Sequence, residues 1–193
     1  MESENKPPEF TDADVAKVVG QISKGAEKEQ KDALVAFVKG VFQQGLAPKD
    51  ALGLTDAQME GIYGQAYRLF NNGRYSEAKG LFRILIMLNA MEPKYTMGLA
   101  ACLHMEKKYD LAIPMYFMSS QADPKNPIPL YHASDCFIQQ KEPKGAMWLL
   151  EQVIELCADR EEFSVIKDRA KMTLESLKKE DIALPEETEE KTE

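Results

Sequence analysis

A chain of 193 residues, 44% hydrophobic and 29% charged, is long enough for one domain with a sizeable core. Its composition excludes collagen-like, linker-like and wholly disordered architectures. The net charge of −8 is unevenly placed: residues 1–14 carry −4 and residues 180–193 carry −6, which leaves +2 for 15–179. That balanced middle offers no basic patch interleaved with aromatics, so nucleic acid is not an expected partner.

No run reaches the roughly 18 apolar residues of a membrane span. The longest, around Leu81 to Met91, is broken by Arg83 and Asn89. The opening residues are acidic and polar where a secretory leader is basic and then apolar, so a cytoplasmic location is expected. Cys102, Cys136 and Cys157 form an odd set without CxxC spacing, which suits buried free thiols better than a disulfide frame.

In chain order, residues 1–10 read as a disordered tail and 11–54 as an N-terminal helical region, with helices expected near 12–23 and over about 27–45. On the second of these, Leu34, Val35, Val38, Val41 and Phe42 recur at helical spacing with Phe37 beside them. Phe37, Val38, Val41 and Phe42 are therefore candidates for a homodimer surface. The competing use of this stripe is packing on the first of the repeats that follow. Thr55-Asp56-Ala57-Gln58 has the form of a capping box and should open the next helix.

From there a period of 34 residues dominates. Ala78, Ala112 and Ala146 share this offset, as do Phe82, Tyr116 and Leu150, then Leu69, Leu103 and Phe137, and the small residues Ala66, Ala100 and Ser134. Columns of matched size at that period fit the tetratricopeptide repeat, a helix–turn–helix unit. The frame places repeats at 59–92, 93–126 and 127–160, inside a segment 55–160. Turns fall near Asn71-Asn72-Gly73, Lys107-Lys108 and Lys141-Glu142-Pro143. The repeats are diverged, since none has Trp at its fourth position. Pro114 falls within a helix, where it removes an amide donor and should kink it. Phe163, Ile166, Ala170, Leu174 and Leu177 line one stripe of a C-terminal capping helix over 161–184, followed by an acidic disordered tail at 185–193. The expected fold is all-α: three tetratricopeptide repeats in a right-handed superhelix between N-terminal helices and a capping helix.

Catalytic motifs are absent: there is no GxxxxGK[ST], GxGxxG, HExxH or GxSxG, so neither an enzyme nor a cofactor is expected. His132 and Cys136, four apart on a helix and near Cys102 and His104 in the repeat frame, are the best metal candidates. The packing role of Cys102 and Cys136 at equivalent helix positions outweighs that use, and no metal is expected. The first helix of each repeat should turn a fixed set of positions towards the concave surface. These give Tyr63, Tyr67 and Phe70, then Lys94, Met97, Ala101, His104 and Met105, then Tyr131, Asp135 and Ile138. The face is unusually apolar and suits an extended apolar segment. The alternative is that Tyr63, Tyr67 and Phe70 belong to the core. Against it, Ile62, Gln65, Ala66 and Leu69 already occupy the core positions of that helix.

The runs Ile62-Tyr63-Gly64-Gln65-Ala66-Tyr67-Arg68-Leu69-Phe70, Met97-Gly98-Leu99-Ala100-Ala101-Cys102, Tyr109-x-x-Ala112-Ile113-Pro114-x-Tyr116 and Asn126-Pro127-x-x-x-Tyr131-His132-Ala133-Ser134-Asp135-Cys136 resemble the class II chaperones of type III secretion, the SycD/LcrH/IpgC-like family. The resemblance covers roughly residues 30–160. It implies a bacterial cytoplasmic chaperone without ATPase activity that holds hydrophobic translocator proteins before export. It also implies that the concave groove takes a short extended client segment and that N-terminal helices support a homodimer. A scaffold assembling soluble partner proteins is the competing function.

Overall fold

The computed structural model describes residues 10–183, and every regular element in that span is helical. In order these are α1 (Asp12–Ile22), α2 (Lys28–Phe42), the short α3 (Pro48–Ala51), α4 (Asp56–Asn71), α5 (Tyr75–Leu88), α6 (Pro93–Met105), α7 (Tyr109–Ala122), α8 (Ile128–Gln139), α9 (Pro143–Cys157), a 3-10 turn at Glu161–Phe163, and α10 (Ser164–Ala183). From α4 onward each helix packs on the next, the arrangement of a stacked helical-hairpin array. Tail residues 1–9 and 184–193 lie outside the described span. Phe10, which the sequence reading assigns to the tail, instead stacks on Phe42 with ring centroids 5.0 Å apart.

The 34-residue columns are the packing contacts of the array. Ala78, Ala112 and Ala146 are fully buried, as are Ala66 and Ala100, with Ser134 nearly so. Small side chains let paired helices approach closely, and Phe82, Tyr116 and Leu150 fill the space beside each contact. Thr55 caps α4 as its motif requires, accepting from the Gln58 amide at 3.3 Å while the Gln58 side chain accepts from the Thr55 amide at 2.8 Å. Helix α7 runs through Pro114, which lies exposed on its outer side.

The turns inside the hairpins share one geometry. Gly73, Lys107 and Lys141, each 34 residues apart, have φ of 74°, 60° and 62°. In each, the following amide reaches back to close the preceding helix: Arg74 to the Leu69 carbonyl, Lys108 to Leu103 and Glu142 to Phe137, all at 2.9 Å. Left-handed backbone disfavours any residue with a Cβ, so lysine is strained where glycine is not. Lys107→Gly should therefore stabilise the fold by about 0.5–1 kcal/mol, and Gly73→Lys should destabilise it by a similar amount. Urea unfolding of the two variants checks both signs.

Two expectations require correction. Gln65, assigned to the core of α4, is exposed, because no earlier helix hairpin covers that side of α4. Val38, assigned to a dimer surface, is only 3% exposed and packs with Val15 and Val19 in a small separate core between α1 and α2. The Lys39–Asp12 ion pair at 2.9 Å and the Gln43–Asp12 hydrogen bond at 3.1 Å clamp the same two helices. The stripe on α2 is thus largely satisfied within the chain. Of the four residues named for a dimer, Phe37 and Val41 are half-buried and Phe42 remains 58% exposed. At the far end, Ala170, Leu174 and Leu177 of α10 seal against Ala146, Leu150, Val153 and Cys157 of α9.

Candidate functional site

Residues three and four apart share a helix face, which places Tyr63, Tyr67 and Phe70 on one side of α4 and Met97 and Ala101 on one side of α6. These two faces meet at an apolar cleft of about 200 Å³, completed by Phe82, Lys94 and Gly98. Small-molecule pockets run to roughly 300–1,000 Å³, so this cleft has the scale of one or two side chains. Tyr63 is half-buried. Its ring stacks on Tyr67 at 6.2 Å, meets the edge of Phe82 at 6.2 Å and tilts against Tyr95 at 6.0 Å. Burial raises the Tyr63 phenol above its ordinary value, with Lys94 acting in the opposite sense. Phe70 meets Tyr75 edge-on at 5.4 Å and leans on the core. Tyr67 is 51% exposed and carries none of the core. Each alternative weighed for these aromatics therefore describes some of them: Tyr63 and Phe70 anchor the core edge while also walling the cleft, and Tyr67 faces solvent.

The cleft continues along α6. A second depression of about 200 Å³, lined by Pro93, Lys94, Met97, Ser119, Asn126, Ile128 and Pro129, shares Lys94 and Met97 with the first. Further along the face, His104 of α6 and Asp135 of α8 come together, with Nε2 to Oδ2 at 3.1 Å. His104 Nδ1 lies 3.2 Å from the hydroxyl of Tyr116 on α7. Tyr116 in turn stacks on His132 at 5.7 Å, and burial is the main reason that the His132 imidazole stays below its ordinary value. Tyr131 and Ile138 flank Asp135 on α8 and are half-buried, while Met105 at the end of α6 is exposed. None of His104, Met105, Tyr131, Asp135 and Ile138 lines the first cleft.

The sequence reading overlooked Phe82 and Gly98 as site residues. Phe82 stood in a recognised column of large residues, but a column says nothing about which ring edge a cleft exposes. Gly98 carried no signal at all. A methyl there would fall inside the van der Waals surface of the Phe82 ring, so the bare backbone of α6 is what lets that ring form the cleft floor. Cys102 and Cys136 are fully buried, and burial pushes both thiols up to about 12. Among the described residues no three His, Cys, Asp or Glu side chains converge on a common point.

An all-helical array of small-residue hairpins with an apolar inner face defines a tetratricopeptide-repeat protein, and the tetratricopeptide repeat family model matches residues 59–90 and 93–126. The chain is 32% identical to low calcium response locus protein H of Yersinia pestis, over 78% of this chain and 88% of that protein. It is 29% identical to chaperone protein SicA of Salmonella typhi, over 77% and 87% of the two chains. Among solved structures it resembles the Yersinia enterocolitica type III secretion chaperone SycD in complex with a peptide of the translocator YopD, with a TM-score of 0.64 and 30% identity over 66% of this chain and 97% of that one. The chain belongs to the class II family of type III secretion translocator chaperones. Its described helices include none long and apolar enough to cross a membrane.

Proposed function

We propose that this chain is a cytoplasmic, non-enzymatic chaperone that holds an extended apolar segment of a hydrophobic translocator in its concave groove before export. The observation that carries this reading is the open cleft between α4 and α6, where Tyr67 is exposed and Tyr63, Phe70 and Met97 are half-buried on a lining whose one charged residue is Lys94. Tyrosine suits such a surface, because the ring supplies stiff apolar area and the hydroxyl can bond the backbone of a peptide that has no internal partners. The SycD complex with a YopD peptide supports the choice of client. Affinity capture from cells expressing the secretion system tests the assignment. A chaperone recovers the hydrophobic translocators, whereas recovery of soluble globular proteins alone would favour a scaffold.

The chain also forms a homodimer in this reading, consistent with the dimeric SycD arrangement among its relatives. With Val38 sequestered between α1 and α2, the exposed member of the four residues named for a dimer is Phe42, stacked with Phe10. Phe42→Glu should yield a monomer by light scattering with an unchanged helical signal. A Phe42→Glu protein that stays dimeric would remove this edge from consideration.

A further inference from the structure

The concave positions of α6 and α8 present two charged residues at neutral pH, and they are balanced differently. Lys94 pairs with the carboxylate of Glu60 and sits 4.9 Å over the Tyr63 ring, so its charge is cancelled locally. Asp135 is partnered by His104, whose two ring nitrogens face the carboxylate and the Tyr116 hydroxyl. The contact from Nε2 engages one carboxylate oxygen, Oδ2, of Asp135. The hydrogen bond from His104 is the largest influence holding the Asp135 carboxyl below the usual carboxylate range. The side chain is nonetheless 47% exposed.

Its neighbours define what fits against it. Tyr131 lies four residues before Asp135 and Ile138 three residues after, on the same side of α8. A carboxylate beside an aromatic ring and an aliphatic surface matches a lysine or arginine side chain, whose stem covers the aliphatic part while its head meets ring and carboxylate. We propose that Asp135 is a specificity-determining residue, selecting client segments that place a Lys or Arg opposite it and so fixing the register of an otherwise apolar segment. This rests on the groove reading above. It also excludes segments with an apolar residue at that point, since these would desolvate the carboxylate without a partner.

The test is calorimetry with short peptides tiling the hydrophobic translocators recovered by affinity capture, with each Lys and Arg of a binding peptide replaced in turn by norleucine. One replacement is expected to weaken binding by about two- to fivefold in the native protein. The same replacement should change affinity less than twofold in D135N, and the difference should vanish near about 1 M salt. D135K should restore binding to the peptide carrying Glu at that position. Equal loss for all peptides in D135N, including those without a cation, would assign Asp135 to a backbone or packing contact and overturn the proposal. So would indifference of every peptide to its cationic residues. If no peptide binds the native chain, the groove reading itself fails. Peptide binding that Tyr67→Glu removes but D135N leaves intact defeats only the present proposal.

Discussion

A carboxylate placed at Ala101 or Tyr67 is expected to weaken binding of an apolar client segment by about 100-fold or more, while the circular dichroism spectrum and oligomeric state stay unchanged. Ala101 lines the cleft between α4 and α6, and its small side chain keeps that space open. A glutamate there both fills the space and forces an unpaired charge against apolar client atoms, a desolvation penalty of several kcal/mol. Each 1.4 kcal/mol is a factor of ten in affinity, so such a penalty accounts for a loss of this size. Tyr67 is 51% exposed and Ala101 is only half-buried, so neither substitution opens a hole in the core. Wild-type affinity in both variants would move the binding surface elsewhere on the molecule.

The largest expected loss of stability comes from adding atoms where helices approach most closely. Ala112 is fully buried at the contact between α6 and α7, and Ala112→Leu should cost about 1–3 kcal/mol through overpacking. Gly98→Ala should cost a comparable amount, because the new methyl must displace the Phe82 ring, itself only 1% exposed. For a chain of this size each kcal/mol lowers the melting temperature by about 2–4 °C. The two variants should differ in their effect on client binding. Gly98→Ala disturbs the cleft floor and weakens capture, whereas Ala112→Leu acts only through the fraction folded. Unchanged melting in Ala112→Leu would contradict the helix-pair packing described for the array.

The particular residues show where sequence sufficed. A residue whose role is fixed by its own repeat was legible, because the 34-residue period converts one observation into three: the buried alanines and the large residues beside them were readable for that reason. The capping box at Thr55 was legible because its chemistry is local. Features created by neighbours were not. The amphipathic stripe of α2 showed that it would be buried but not against what, and α1 takes Val38. Gln65 stands exposed because α4 begins the array and lacks a covering hairpin. The left-handed turns at Lys107 and Lys141 could have been inferred from Gly73 at the same offset, but lysine itself gives no such signal. His104 and Asp135 lie on helices of successive repeats, and only the stacking of α6, α7 and α8 brings them within 3.1 Å.

Whether the concave face holds the client is decided by site-specific photocrosslinking in cells that coexpress the translocators recovered by affinity capture. A photoreactive phenylalanine analogue at position 67, in the groove, is compared with one at position 87, where Met87 stands 74% exposed on α5 outside the cleft. A covalent adduct with a translocator from position 67 and none from position 87 is the result expected. An adduct from position 87 alone, or equal adducts from both, would contradict the groove as the binding surface.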